Sequence, residues 1–164
     1  MSGKNILPMA ELRELLAKLK FENVQTYIQS GNIVLNSDLS KEDVIEGVKK
    51  GIGTKFGYDV PVLARTIDEW EKAIENNPYP TGNHKIVSFT FLNVAPTETS
   101  IAVNITNDDV YTMVNDMVYM YCPDGFGRTK LTNNLFEKKL KVTATSRNFR
   151  TTMKLLEMAK NNNN

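Results

Sequence analysis

The sequence predicts an α+β protein with a mixed or antiparallel sheet and helices packed mainly on one face. Two observations predict it. Over the first half, apolar residues at helical spacing alternate with runs of β-branched and aromatic residues. Over the second half, three β-rich runs follow one another, and two of them flank Asn115-Asp116, a two-residue connection suited to a tight hairpin. At 164 residues the chain amounts to one domain or to two small subdomains sharing a core.

The first helix is read over residues 9–20. Met9, Leu12, Leu15, Leu16 and Leu19 form one apolar stripe, with Glu11, Arg13, Glu14 and Lys18 on the wet side. Pro8 stands near its first turn, where a missing N–H costs little. Residues 24–35 read as one strand with a polar interruption at Gln29-Ser30-Gly31-Asn32. Ser40 caps a second helix, with Asp43 three residues on. Val44, Ile45, Val48 and Ile52 supply its buried face, and Gly51 and Gly53 loosen its end. Residues 60–64 read as a short apolar strand that Pro61 restricts to an edge or a strand start. Thr66 opens a third helix through Trp70 and Ile74, and Asn77-Pro78-Tyr79-Pro80 closes it. That proline-bearing turn is the expected boundary between an N-terminal part, 1–80, and a C-terminal part, 81–160.

Residues 85–92 form a strand of β-branched and aromatic residues, and 110–114 with 117–122 form the hairpin. Pro123-Asp124-Gly125 turns the chain into a helix over 130–140 that points Leu131, Leu135, Phe136 and Leu140 inward. A last short strand over 142–146 leads to a closing helix over 149–158, which buries Phe149, Met153 and Leu156. The four asparagines at 161–164 have no apolar surface to bury and are expected to form a disordered tail.

Composition excludes several classes. No apolar stretch approaches the ~18 residues of a membrane span, and no signal-peptide core opens the chain. A lone cysteine, Cys122, precludes an internal disulfide and fits a reducing cytoplasm. With one histidine, His84, it leaves too few ligands for an all-protein zinc site, and no cofactor is expected. The near-neutral total hides a polarised chain. From Phe126 onward nine Lys and Arg face two acids, against eleven bases and seventeen acids before it. Such a basic segment suits an anionic partner.

Gly127-Arg128-Thr129-Lys130 has the composition of a phosphate-binding loop but not the Gly-x-x-x-x-Gly-Lys spacing. Arg128 and Lys130 near a helix start still make an anion pocket, unless both simply solvate a turn. Arg147, Thr151 and Lys154 share one helical stripe if the closing helix begins early, with Asn148 as its cap. Gln29, Ser30 and Asn32 either line a cleft or surround a bulge at Gly31. Tyr111, Tyr119 and Tyr121 read first as cross-strand packing and second as a base-stacking platform. Cys122 follows apolar residues and reads as buried, and no carboxylate pair stands out for acid–base work.

Taken together, Gly3-Lys4-Asn5 with Pro8-Met9-Ala10-Glu11-Leu12, Tyr27-Ile28-Gln29-Ser30-Gly31-Asn32, Pro123-Asp124-Gly125 with Gly127-Arg128-Thr129-Lys130-Leu131-Thr132-Asn133, and Thr145-Ser146-Arg147-Asn148 with Thr151 and Lys154-Leu155 resemble the bacterial domain-of-unknown-function family 1697. The resemblance spans nearly the whole chain. It implies two small α+β subdomains, at least one of them ferredoxin-like, and no particular activity. Family members usually begin with a hydrophobic strand ahead of the Gly-Lys loop, whereas Met1-Ser2-Gly3-Lys4-Asn5 begins inside it. A missing first strand, an exposed sheet edge and a homodimer through that edge are therefore expected.

The leading functional expectation is a cytoplasmic module that binds a small phosphorylated or nucleotide-like anion through Gln29, Ser30, Asn32, Arg128, Lys130, Arg147, Asn148 and Lys154. The alternatives are a nucleic-acid-binding module using the same basic surface and an enzyme without a recognisable nucleophile. No catalytic constellation decides whether the protein is an enzyme. No membrane partner is expected.

Overall fold

A computed structural model of the protein describes residues 7–28, 31–105 and 108–162. The chain forms two compact units, one comprising Met1–Glu69 with Leu155–Asn164 and the other Trp70–Lys154. The division falls between Glu69 and Trp70 and not at the proline turn near residue 80. Trp70 and Ala73 already belong to the second unit's packing, and the chain returns to the first unit at Leu155.

In the first unit, α1 (Met9–Lys18) is followed by β1 (Glu22–Tyr27), β2 (Asn32–Asn36) and α2 (Lys41–Phe56). The single strand expected over 24–35 is two antiparallel strands, paired from Tyr27↔Asn32 to Glu22↔Asn36. Between them Ile28 and Gly31 take positive φ values of 52° and 77°. Leu12 and Leu16 of α1 pack with Val48 and Ile52 of α2 in one cluster, joined by Phe21, Val24, Ile33 and Leu35.

Ser40 caps α2 by accepting the Asp43 N–H at 3.1 Å, as its sequence position suggests. The helix runs on past Gly51 and Gly53 to a left-handed cap at Gly57. A Cβ on Gly51 would lie 2.7 Å from Leu19 Cδ1, the end of a side chain that can turn aside. Residues 60–64 are not a strand. Val60 is buried with Val62 against the same core, but the segment pairs with no strand among the described residues. The opening residues 1–6, on which the expected absence of a first strand turns, lie outside the described residues.

α3 (Ile67–Glu75) spans the division. It opens with a reciprocal cap, the Glu69 N–H donating to Thr66 Oγ1 at 3.2 Å and the Thr66 N–H to Glu69 Oε1 at 2.8 Å. The second unit continues with β3 (Val87–Leu92), β4 (Val110–Val114), β5 (Met117–Tyr121), α4 (Asn133–Leu140), β6 (Ala144–Asn148) and the start of α5 (Phe149–Lys160). Its four strands lie in the order β4-β5-β3-β6, antiparallel throughout. That is the order of a ferredoxin-like sheet, with the connection over 93–109 carrying no helix among its described residues. Ile101 and Val103 of this connection pack beside Phe136 and Leu140 of α4 on one face of the sheet.

β3 is buried at all six positions, as a central strand covered on both faces should be. On the face away from α4, Trp70 stacks on Phe91 and Phe149 meets Phe89 edge-on. Helices thus cover both faces of this sheet, where one main face was expected. The α+β class holds: the described residues form five helices and two antiparallel sheets.

Candidate functional site

β6 is an edge strand that passes directly into α5. Its alternation sorts its side chains. Ser146 faces α4, sharing a 2.7 Å hydrogen bond with Thr90 Oγ1 and donating to Asn133 Oδ1 at 3.1 Å. Thr145 and Arg147 face the other way, opposite Phe91 and Phe89 in the ladder. Arg147 Nη1 donates to Thr145 Oγ1 at 2.7 Å and to the Ser146 carbonyl at 2.8 Å. Burial lowers the guanidinium pKa from its ordinary 12.5, the direction expected when a charge is drawn out of water.

Asn148 then caps α5: its Oδ1 accepts the Thr151 N–H at 2.8 Å, and its carbonyl accepts the Thr152 hydroxyl at 2.8 Å. The first turn of α5 holds no acid. It carries Arg150, with Arg147 just before it and Lys154 one turn on. The positive end of a helix dipole favours negative charge, so an anion is the ligand chemistry that this helix start suits. This junction is the candidate site.

The expected stripe of Arg147, Thr151 and Lys154 does not form, because Arg147 is a strand residue and α5 starts at Phe149. Thr151 is 8% exposed and Lys154 half-buried on α5. Arg128 and Lys130 are exposed in the 123–131 loop. That loop turns at Gly125, whose N–H donates to the Cys122 carbonyl at 2.8 Å, and α4 begins after it, capped by Thr132. Asn32 lies in the first unit, 4% exposed, where its Nδ2 donates to the Tyr27 carbonyl at 3.1 Å and braces the hairpin turn. Gln29 and Ser30 lie outside the described residues.

The hairpin tyrosines offer no stacking platform. Tyr119 is fully buried, edge-on to Phe89, and donates its hydroxyl to the Ala73 carbonyl at 2.6 Å. Tyr111 bonds Ile101, and Tyr121 packs on Tyr79. Cys122 is buried, its thiol 3.5 Å from Thr129 Oγ1, and burial pushes its pKa up to about 11. A thiol so held is a poor nucleophile at neutral pH. Among the described residues no three His, Cys, Asp or Glu side chains are grouped to hold a metal, and no helix is long and apolar enough to cross a membrane. Sequence reasoning missed Arg150 and Thr145, and the junction of Arg-Asn-Phe-Arg was the available signal.

The model of the family described as "Protein of unknown function (DUF1697)" matches residues 1–119, most of the chain. The chain belongs to this family. Its fold is similar to that of a solved structure, conserved bacterial protein SP0830 from Streptococcus pneumoniae, at a TM-score of 0.67 and 23% identity, covering 97% of this chain and 92% of that one. No curated protein matches. At that identity the likeness speaks to the fold of this DUF1697 member. The family match ends at residue 119, ahead of β6 and α5, so the candidate site rests on its own geometry.

Proposed function

We propose that the second unit binds a small phosphorylated or nucleotide-like anion at the β6–α5 junction. The observation that carries the reading is the Arg147 guanidinium, drawn out of water beside a helix start whose first turn holds no acid. Arg147 supplies a planar two-pronged donor for a phosphoryl group. The N–H groups of Phe149 and Arg150 at the helix start supply further donors, the Thr151 N–H being taken by Asn148, and Arg150 and Lys154 add charge. Asn148 holds the turn in place through Thr151. Arg128 and Lys130, the other expected contributors, are exposed in the 123–131 loop, and this reading does not depend on them. A cytoplasmic setting accords with a single cysteine that is buried and unbridged.

Thermal melting in phosphate, sulfate and chloride at constant ionic strength tests it. Phosphate at about 100 times its dissociation constant should stabilise by ~2.7 kcal/mol and raise the melting temperature. Arg147→Met keeps the stem of the side chain and removes the charge, so it should fold and show no phosphate effect. A rise of equal size in chloride, or one retained by Arg147→Met, would defeat the reading.

A further inference from the structure

The bulge in the β1–β2 hairpin is filled by an asparagine from the far end of the chain. Asn23 takes a positive φ of 51°, and the register shifts between Glu22 and Gln25, so the Asn23 carbonyl is turned out of regular pairing. Asn162 occupies that place and is 2% exposed, although a frayed tail was expected from residue 161 onward. Both ends of its carboxamide are read. Gln25 Nε2 donates to Asn162 Oδ1, while Asn162 Nδ2 donates to the Asn23 carbonyl at 2.9 Å and to Asn36 Oδ1 at 3.3 Å. Its main-chain carbonyl accepts from Asn23 Nδ2 at 3.1 Å and from Asn36 Nδ2 at 3.0 Å, and its N–H donates to the Ala159 carbonyl.

We propose that this bulged hairpin is a recognition site for a primary carboxamide, with Asn162 as its internal ligand, so that the segment after α5 is a strap whose seat accepts asparagine and rejects an acid. The donor and acceptor pattern imposes the choice. The Oδ1 position faces a donor and the Nδ2 position faces two acceptors. A carboxylate would set its second oxygen against the Asn23 carbonyl and Asn36 Oδ1, two acceptors with nothing to donate. An aliphatic side chain of similar size would forfeit the bonds with Gln25 Nε2 and the Asn23 carbonyl, while the bond from Asn36 Nδ2 to the main-chain carbonyl of residue 162 would remain. The inference concerns the first unit alone and is independent of the anion reading.

The test uses the full chain and hydrogen exchange at the amides of Val24 to Asn36. Asn162→Ala should lose protection there by about tenfold, the factor of losing one net buried hydrogen bond. Acetamide, which fits the vacated seat, should restore part of the protection, and acetate should not. Asn162→Asp should lose at least as much as Asn162→Ala. Gln25→Glu is a change at an exposed strand position that leaves the core intact, so it keeps the test alive if the Asn162 variants fail to fold. It too should loosen the hairpin. Unchanged protection in Asn162→Asp or in Gln25→Glu, or equal rescue by acetate and acetamide, would overturn the proposal.

Discussion

Asn148 accepts the backbone N–H of Thr151 at 2.8 Å and so starts α5 at the point where the edge strand β6 ends. The bond fixes the helix start against Arg147, because the capping residue is the next one along the chain. Asn148→Ala should destabilise the protein by about 1 kcal/mol, within the range of cap deletions, while Asn148→Asp should be nearly neutral. Urea denaturation of the three proteins checks this. Equal midpoints for wild type and Asn148→Ala would show that α5 does not depend on its cap.

Trp70 stacks on Phe91 with ring centroids 4.4 Å apart and planes 8° from parallel, and its indole N–H donates to the Thr152 carbonyl at 2.8 Å. Trp70→Phe keeps much of the stack and drops the hydrogen bond, which should cost about 1 kcal/mol or somewhat more for the unpaired carbonyl. Trp70→Ala should cost about 3 kcal/mol or more. Far-ultraviolet circular dichroism during denaturation gives both values, since the substitutions remove the chain's single tryptophan. Costs of the same size would mean the stack contributes little.

Glu69 accepts from Lys41 at 2.7 Å and from the Thr66 N–H that closes the α3 cap. Burial acts to raise its carboxyl pKa, but the Lys41 and Thr66 hydrogen bonds outweigh it and hold the group below its ordinary 4.5. A depressed folded pKa gives stability that is present above the unfolded value and lost as pH falls through the folded one. Wild type should therefore lose its advantage over Glu69→Gln as pH is lowered from neutral to below 4.5. The advantage should be no more than ~1 kcal/mol, because the side chain is 39% exposed and its ion pair is screened. A constant difference between the two proteins across that window would contradict the assignment.

Much of this architecture was legible in the sequence. Ser40 before Val44 and Val48 announced α2, Asn115-Asp116 announced the β4–β5 hairpin, and the burial of Cys122 followed from its apolar approach. What was not legible depended on the third dimension. Residues 24–35 looked like one strand with a polar stretch, and only the pairing of Tyr27 with Asn32 shows that they are two strands. Asn162 looked like part of a featureless run, because nothing local reveals a seat built from Asn23, Gln25 and Asn36, more than 120 residues away. At the candidate site, Arg147 and Asn148 were legible, but periodicity assigned Arg147 to the helix when it closes the strand. Arg128 and Lys130 were chosen for local charge, which says nothing about convergence.

Cys122 should react slowly with maleimide in the native protein and rapidly after unfolding, since burial withholds the sulfur and its raised pKa leaves little thiolate. Thr129→Val removes the hydroxyl beside the thiol and should leave native labelling slow. Fast native labelling in wild type would revive a chemical role for the thiol.

The central claim, that the β6–α5 junction holds an anion, is met most directly by titrating isotopically labelled protein with inorganic phosphate and following backbone amides and arginine side chains by NMR. Saturable shifts should concentrate on the amides of Phe149, Arg150 and Thr151 and on the Arg147 guanidinium, and should be absent in Arg147→Met. Shifts that are absent there, or that spread over the exposed lysines and follow ionic strength without saturating, would contradict it.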